Sequence, residues 1–350
     1  MNRRMSNMPF VHYGNNSSSV YRLKCFAVGV LVVIGCYQFG VLAVLRAVII
    51  PIVLLLTDVI LYRVLNIHFL WERSVYRGLL IVACIPPATP LLLTLLVMLS
   101  IHVLTQWTFT SEHQPICDVS ITTLLVLYAF FPNILQNSYV TPSYWFFDVA
   151  TSATPLAERF FLGTSAEITE IPSWIGLFIQ NAQATFAQFA FLAIPEQLVI
   201  HLFGVTAGTI AEQYSLLVLA VSIILFVYTG THTVPVMLGL LSFVAPIYAF
   251  DGLSSGLGLF QGDILHHVLN GGYLFALLFF VGDPTITSKN LRGNILFGCL
   301  FGSLAALFRL FGSTSDGTIF ALFLPALLVP LWDYYVFLNT RKKYGKWELT

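Results

Sequence analysis

The stretch LRAVIIPIVLLLTDVILYRVL, residues 45–65, decides the fold class of this chain. It is 21 residues long, and only three of them carry a charge. About twenty apolar residues are enough for a helix to cross the hydrocarbon core of a bilayer. The run therefore predicts a membrane-spanning helix. Asp58 and Arg63 lie toward its end, and we expect them to pair across about one helical turn in a structural role.

The composition of the whole chain agrees with this prediction. Of the 350 residues, 57% are hydrophobic and only 9% are charged, against roughly 25% charged residues in soluble domains, and the mean hydropathy is +0.85. We therefore predict an all-α integral membrane protein surrounded by lipid. The formal net charge is +0, so no basic field indicates a nucleic-acid partner.

The five cysteines are scattered along the chain without the spacing of metal or cluster ligands. Most of them lie in or beside apolar runs, where cysteine behaves as a small buried hydrophobe. No metal site is predicted.

Apolar runs interrupted by Pro and Gly divide the chain into about ten predicted membrane segments. These are residues 25–43, 45–65, 77–86, 88–107, 121–137, 214–230, 232–250, 264–281, 293–312 and 318–338. The run 77–86 is too short to cross, and Pro86, Pro87 and Pro90 interrupt the chain at its end. We expect a half-helix that ends inside the protein, because irregular backbone at membrane depth must be surrounded by protein or a lined cavity.

Lysine and arginine in the short loops predict the orientation, since these residues concentrate in cytoplasmic loops. Tails 1–24 and 339–350 and the loops with Arg73, Lys289 and Arg292 then face the cytoplasm. The membrane halves are residues 25–137 and 214–338, and residues 138–213 form an extracytoplasmic region. Within that region, residues 174–200 are apolar but studded with Gln, Asn and Glu, which is typical of a helix lying in the interface.

A weak internal symmetry relates the two membrane halves. A run led by Gly78 ends at Pro86-Pro87, and a run led by Gly272 ends at Asp283-Pro284. Each half would then hold one broken half-helix, and the two halves would be inverted repeats, an arrangement that often places sites at the repeat interface. Coincidence is the alternative, because Gly and Pro are frequent in membrane helices.

A polar turn of small residues lies in the extracytoplasmic region. It reads Asp148-Val149-Ala150-Thr151-Ser152-Ala153-Thr154 and is followed by Pro155. The Thr154 hydroxyl has slender neighbours, so another enzyme would have room to reach it. The turn can also be interpreted as a helix start, with Thr154 as the N-cap and Pro155 at the first helical position.

This turn resembles the acceptor motif of flavin transferases, in which Asp, two free positions, Ser or Thr, usually Gly, and Ala-Thr follow one another. Ser152 stands where the motif usually has glycine. The resemblance implies that FMN is joined to Thr154 through a phosphoester bond. It also implies that Asp148, Thr151, Ser152 and Ala153 form the surface that the transferase recognises.

Further stretches, in the same order along the chain, extend the resemblance to the D subunit of the Rnf electron-transport complex. The related B subunit of the sodium-translocating NADH:quinone reductase is similar too. The stretches are 208–212, Thr233-Val234-Pro235, 270–272, 282–284, 292–293, 297–298, Arg309, 316–321 and 330–333. In the first half only residues 78–87 look familiar, Ser111–Pro115 replace an Asn-Pro-rich loop, and residues 179–203 are an extra stretch.

The resemblance implies about ten helices in two inverted halves, in a bacterial inner membrane. It implies covalent FMN on the periplasmic side and an assembly that couples electron transfer to movement of Na+ or H+. Partners would be a flavin transferase and the other membrane and flavoprotein subunits; a second, noncovalent flavin stays open. No Walker loop, nucleophile elbow or dinucleotide fingerprint is present, so NADH oxidation is expected in another subunit and no catalytic residue is predicted here.

Three ionisable residues are further site candidates, each with two interpretations. Glu212 would hydrogen-bond the flavin or accept a cation, or it is a solvated carboxylate at a helix entry. Arg309 would bind the flavin phosphate or a carboxylate, or it snorkels to the surface. Asp283 would fix its loop through backbone N–H groups, or it would relay an ion or proton.

Two other functions compete with the electron carrier. A channel or transporter for a small neutral solute would use the same inverted repeats and broken helices without a flavin. A structural subunit that has lost its redox role would keep the fold alone.

Overall fold

A computed structural model of the chain describes residues 17–65, 70–108, 118–140, 202, 208–212, 214–229, 232–254, 258–312 and 317–343. Within this part of the chain every regular element is helical. The elements are α1 (Ser17–Phe39), α2 (Val41–Leu65), α3 (Trp71–Ala83), α4 (Leu91–Thr108), α5 (Val119–Phe130), α6 (Pro132–Gln136), α7 (Ser215–Thr229), α8 (Thr233–Ser254), α9 (Ile264–Leu269), α10 (Tyr273–Phe275), a π-helix (Ala276–Val281), α11 (Leu291–Phe311) and α12 (Thr318–Lys343).

Among the described residues five helices are long and apolar enough to cross a membrane, and they coincide with five of the ten predicted segments. They lie in α1, α2, α8, α11 and α12. Three more predicted segments correspond to shorter apolar helices, Leu91–Thr105, Val119–Phe130 and Ser215–Thr229. The all-helical class is therefore confirmed, whereas ten crossings and two inverted halves remain predictions.

The sequence of α2 shows why a long apolar helix can sit at the edge of the bundle. Val48, Ile52, Leu56, Ile60 and Val64 recur every fourth residue, and all five side chains are exposed although they are apolar. Residues four apart lie on one helix face. This helix therefore has an apolar outer stripe suited to lipid, which is the solvent that a membrane protein meets there.

Helices α8 and α11 pack closely because glycine lies at their contact. Gly302 of α11 faces the backbone of Gly239 in α8, and Gly298 faces the backbone of Pro235. A side chain at either glycine would collide with the facing backbone. Small residues that let two backbones approach are the usual means of packing membrane helices.

The first broken helix lies where the prolines predict it. Helix α3 ends at Ala83, and no helix is assigned between Cys84 and Pro90. The helix begins at Trp71, however, and not at Arg77 as the apolar run predicts. The physical reason is that Glu72, Ser74 and Arg77 are buried among polar partners, so the segment needs no continuous apolar run.

The second broken helix corrects the prediction of one continuous span over residues 264–281. Helix α9 ends at Leu269, and the chain continues as α10 and the π-helix. Gly271 and Gly272 separate these parts with φ angles of 68° and 66°. Two adjacent residues in the left-handed region end a right-handed helix, and glycine adopts that region without a steric penalty.

Helix α1 begins at Ser17, eight residues before the predicted start of the span. The polar side chains of its first turns have partners inside the protein, because Ser18 and Arg22 contact Glu72 while Lys24 contacts Asp283. Lys24 is therefore a buried part of the first helix.

Candidate functional site

Two clusters of buried polar groups lie at opposite ends of the helices. We call the end where α1 begins the lower end, and the opposite end the upper end. The expected orientation would place the lower end at the cytoplasmic face. Each cluster surrounds a place where the chain is not helical, so it must satisfy backbone groups that a helix would otherwise pair.

At the upper end, Arg309 of α11 holds the break after α9. Its Nη1 donates to the carbonyl of His267, and its Nη2 donates to the carbonyls of Asn270 at 2.7 Å and Gly271 at 2.8 Å. The guanidinium carbon lies 5.5 Å from the ring centre of Phe243, close enough for a cation–π contact. Arg309 is buried, so its side chain does not snorkel to the surface.

Glu212 approaches the same break from the loop before α7. The backbone N–H of Thr209 donates to the Glu212 carboxylate at 3.2 Å, and a side chain added at Gly272 would collide with that carboxylate. Burial raises the pKa of the Glu212 carboxyl, while the hydrogen bonds from Thr209 and the charge of Arg309 act in the opposite direction. The structure thus brings Glu212 and Arg309 together at the upper end.

The loop of Glu212 also joins the two halves of the molecule. The N–H of Ala211 donates to the carbonyl of Ala83 at 3.1 Å, where α3 ends. Gly35 of α1 faces the backbone of Ile210. The loop of residues 208–212 therefore contacts both α1 and the end of α3.

Asp251 and His267 form a further pair at the upper end. His267 Nε2 lies 2.9 Å from Asp251 Oδ1, and Asp251 Oδ2 accepts the N–H of Asp263 at 3.1 Å. The Asp263 side chain accepts the N–H of His266 at 3.1 Å and so caps α9. Across the described ranges no group of three His, Cys, Asp or Glu side chains is arranged to hold a metal.

At the lower end, Asp283 follows the π-helix and has partners of two kinds. Its Oδ1 accepts from the N–H and the hydroxyl of Thr285 at 2.9 and 2.8 Å, as the backbone interpretation predicts. Its Oδ2 lies 2.9 Å from Lys24 Nζ and accepts from the Tyr76 hydroxyl at 3.3 Å. Asp283 therefore connects its own loop to α1 and α3 of the first half.

Three further acid–base pairs belong to the first half. Glu72 pairs with Arg22 at 3.1 Å, Asp118 with Arg77 at 3.2 Å, and Asp58 with His102 at 2.7 Å. Asp58 also accepts from the hydroxyl of Ser74. The expected pairing of Asp58 with Arg63 is wrong, because the Asp58 side chain points to α3 and α4 and not along its own helix.

His232, between α7 and α8, completes the lower end. Its backbone N–H donates to the carbonyl of Gly282 at 3.1 Å, and its Nδ1 lies 2.7 Å from the Thr287 hydroxyl and 3.3 Å from Asn294 Nδ2. Burial lowers the pKa of the imidazole, while Asp283 raises it and Lys24 lowers it further.

The expected flavin acceptor lies outside the described residues. This applies to Asp148, Thr151, Ser152, Ala153 and Thr154, to the extracytoplasmic segment 141–201 and to the interfacial helix within it. Of the residues expected to contact flavin, the structure describes Glu212 and Arg309. Both Nη atoms of Arg309 are occupied by carbonyls, and its buried Nε has no hydrogen-bond partner among the described atoms. This donor, beside the Glu212 carboxylate, fits one oxygen or ring acceptor of a polar cofactor.

Several polar residues of these clusters are missing from the sequence-based predictions. Arg46, Lys24, Tyr76 and His102 belong to this group. Arg46 donates to the carbonyl of Thr89 at 3.0 Å in the first broken helix and to Leu42 in its own helix at 2.8 Å. A charged residue inside an apolar run is the signal that could have identified Arg46, because such groups seldom face lipid. The partners of Tyr76 and His102 lie far away in sequence and leave no local signal.

Apolar helices with spanning length and two helix breaks held by buried charged side chains define a polytopic membrane protein. Discontinuous helices are also found in many membrane transporters. The chain belongs to the NQR2, RnfD, RnfE family, which it matches over residues 4–342.

Curated relatives, each named as the D subunit of an ion-translocating oxidoreductase complex, share a shorter region with the chain. The protein of Vibrio vulnificus is 39% identical over 71 residues, which is 20% of each chain. The protein of Citrobacter koseri is 41% identical over 80 residues, and that of Escherichia coli O7:K1 is 41% identical over 81 residues. Each of these alignments spans 22% of this chain and 23% of the relative.

Proposed function

We propose that this chain is the flavin-carrying subunit of an Rnf-type ion-translocating oxidoreductase in the bacterial inner membrane. It would pass electrons between flavoprotein subunits while the complex moves Na+ or H+. The observation that carries the proposal is the acceptor motif Asp148–Thr154 in a chain that its family matches over residues 4–342. The names of the relatives support the same assignment, since each is the D subunit of an ion-translocating oxidoreductase complex.

The covalent attachment would be a transfer from FAD catalysed by a flavin transferase. The Thr154 hydroxyl attacks the FMN phosphorus, the phosphoanhydride bond breaks, AMP leaves and the hydroxyl proton is released. Asp148 and Thr151 would be recognised by the transferase, and Ser152 and Ala153 would keep the approach open. The periplasmic side is the expected location, because the basic loops predict that residues 138–213 are extracytoplasmic.

The bound flavin would supply one- and two-electron redox chemistry, so the chain itself needs no catalytic constellation. Its own residues would position the carrier and exclude water. Glu212 and Arg309 suit this role at the upper end, because they place an acceptor and a buried donor beside a rigid helix break. A second, noncovalent flavin at this end stays a lower-ranked prediction.

Reciprocal contacts at the two ends support the proposed inverted repeat. Asp58 lies near the end of α2 and accepts from Ser74 in the first turn of α3. Asp251 lies near the end of α8 and pairs with His267 in the first turn of α9. A carboxylate late in the second helix of each half thus contacts the start of the third, as a repeated unit would.

The decisive experiment uses in-gel ultraviolet fluorescence of the denatured full chain, expressed with a flavin transferase. Wild-type protein should fluoresce, and Thr154→Ala should be dark because the acceptor oxygen is gone. In mass spectrometry, the peptide 145–159 should be heavier than the unmodified peptide by the mass of FMN minus one water. A wild-type chain with the mass of the bare polypeptide would overturn the proposal.

Two neighbouring substitutions are matched controls. Ser152→Gly restores the residue usual in the motif and should keep the fluorescence. Ser165→Ala removes a nearby hydroxyl outside the motif and should keep it as well. Fluorescence that survives Thr154→Ala would show that another hydroxyl carries the flavin.

Electron flux separates the carrier from the two competing functions. In membranes that contain the assembled complex, Thr154→Ala should abolish electron transfer. Unchanged flux would indicate a structural subunit, and a colourless wild-type protein that conducts a neutral solute would indicate a channel.

A further inference from the structure

Lys24 and Asp283 form the most deeply buried ion pair among the described residues. Their side chains are 4% and 1% exposed, and Nζ lies 2.9 Å from Oδ2. Lys24 belongs to the first half of the chain, and Asp283 belongs to the second. An ammonium group at this depth is costly unless its surroundings compensate for the lost water.

The ammonium of Lys24 is surrounded by a carboxylate and two aromatic rings. The ring centres of Tyr21 and Tyr76 lie 5.4 and 5.6 Å from Nζ, within cation–π distance. The Tyr76 hydroxyl contacts both Asp283 Oδ2 at 3.3 Å and the carbonyl oxygen of Phe279 at 3.4 Å. The carboxylate oxygen beside Nζ is thus linked through the Tyr76 hydroxyl to a backbone carbonyl, and such oxygens are the ligands of hard cations.

Other carboxylates of the described residues also pair with a basic side chain. Asp58, Glu72, Asp118 and Asp251 each pair with an arginine or a histidine. Lys24 differs from the arginines and histidines of these pairs, because its ammonium is a compact, strongly hydrated point charge. It is the partner that most closely imitates a small metal cation.

We propose that Lys24 is a tethered cation that fills the cation position at Asp283, so that this subunit binds no free Na+ there. Lys24 is then a specificity-determining residue. This proposal rests on the proposed function only where it places Asp283 in an ion pathway. Whether Lys24 or Na+ is bound at Asp283 is a property of the chain itself. Electron transfer in the complex should need no Na+ at this position, and removal of the ammonium should open the site to Na+.

The test compares thermal unfolding of the purified full-length protein, in its complex and in detergent, at equal concentrations of NaCl and choline chloride. Wild-type protein should unfold at the same temperature in both salts. Lys24→Met keeps the length of the side chain and removes the charge, so its unfolding temperature should rise saturably, by several degrees, with NaCl alone. Lys24→Met/Asp283→Asn should lose this Na+ dependence, and Lys24→Arg, which keeps a cation, should resemble wild type.

Each outcome decides the proposal. Lys24→Met that folds in NaCl but not in choline chloride supports it. Lys24→Met that fails in both salts while the double variant folds overturns it, as does a folded Lys24→Met that is indifferent to Na+. A wild-type stabilisation by Na+ that Asp283→Asn removes would also overturn it, because the position would already bind Na+.

The thermal measurement depends neither on flavin nor on electron transfer. In-gel fluorescence of the same samples reports on Thr154 independently. A dark band would therefore remove the proposed function and leave the result at Lys24 and Asp283 intact.

Discussion

Each half of the molecule contains a broken helix that receives one buried arginine, yet the two breaks depend on it to different degrees. In the first half, Arg46 reaches only the carbonyl of Thr89 outside its own helix. The other hydrogen bonds of that break have several partners. Thr89 contacts the carbonyl of Pro86, the N–H of Ala88 donates to the carbonyl of Ser138, and the carbonyl of Ala83 accepts from the N–H of Ala211. In the second half, Arg309 donates to the carbonyls of His267, Asn270 and Gly271, and the Thr318 hydroxyl also donates to the carbonyl of Gly271 at 3.0 Å.

The difference follows from the residues that make each break. Prolines, which have no N–H, follow the end of α3, and the carbonyls there have different partners: Ala83 accepts from Ala211, Cys84 from the Tyr128 hydroxyl and Pro86 from Thr89. Two glycines with positive φ angles follow α9, and the carbonyls of His267, Asn270 and Gly271 all accept from Arg309. The break at the glycines therefore depends mainly on one side chain, whereas the break at the prolines has several partners.

The largest expected effect is that of Arg309→Met. It removes the donors to the buried carbonyls of His267 and Asn270, while the carbonyl of Gly271 keeps the Thr318 hydroxyl. Removing one partner of buried hydrogen bonds to a charged group should lower the free energy of unfolding by about 3–5 kcal/mol. Thermal unfolding of the detergent-purified protein, followed with a thiol-reactive dye, measures the loss. A stability equal to that of the matched Arg46→Met variant would abolish the distinction between the two breaks.

Arg46→Met should have the second largest effect. One external carbonyl loses its donor while the local bonds of Thr89 remain, so we expect a loss of about 1–3 kcal/mol. The same unfolding assay serves, with Arg63→Met as control, because Arg63 lies on the exposed part of α2 and should change little. A loss larger than that of Arg309→Met would reverse the order of the two halves.

Gly272→Ala should cost about 1–2 kcal/mol from its left-handed φ of 66°, with an added cost from the collision with Glu212. Gly258→Ala is a matched control, because Gly258 also has a positive φ, of 107°, but has open space around it. In thermal unfolding, Gly272→Ala/Glu212→Ala should be more stable than Gly272→Ala because the collision is gone. It should still be less stable than wild type because the backbone strain remains. If Gly272→Ala/Glu212→Ala is no more stable than Gly272→Ala, the Glu212 carboxylate does not collide with a side chain at position 272.

The smallest expected effect is a pH dependence at the lower end. Burial lowers the pKa of His232 in the folded state below the value of about 6.5 for a free imidazole. The unfolded chain then binds the proton more tightly, so the stability that His232 contributes is present above about pH 6.5 and is lost as the pH falls below it. The slope of the unfolding temperature between pH 7 and pH 5.5 should be shallower in His232→Gln, and an unchanged slope would assign the dependence to other groups.

The sequence alone predicts the fold where a single physical requirement dominates. Long apolar runs predict α1, α2, α8, α11 and α12, because spanning length and low charge suffice to identify them. The half-helix before Pro86 follows from the chemistry of proline in the same way. The second break is predicted only as a run led by Gly272 that ends at Asp283-Pro284, and its carbonyl partner Arg309 cannot be inferred from the sequence.

The polar clusters are less predictable, because their pairings connect distant parts of the chain. The sequence favours a pairing of Asp58 within its own helix, yet this residue contacts His102 and Ser74 of neighbouring helices. The expected binding of Asp283 to backbone N–H groups is confirmed for Thr285, but its pairing with Lys24 could not be inferred. The periodicity of polar residues in the sequence predicts which face of a helix is polar. Only the packing of the helices determines which charged side chain pairs with that face.

The pairing of Lys24 with Asp283 also constrains how the protein is made. The lysine leaves the ribosome some 260 residues before its partner, and at about 5–20 residues per second the interval is on the order of 10–50 s. During that time the first helix carries an ammonium group that no carboxylate of the second half can neutralise. We therefore expect the amino-terminal segment to keep this lysine near the membrane surface until translation delivers the matching acid.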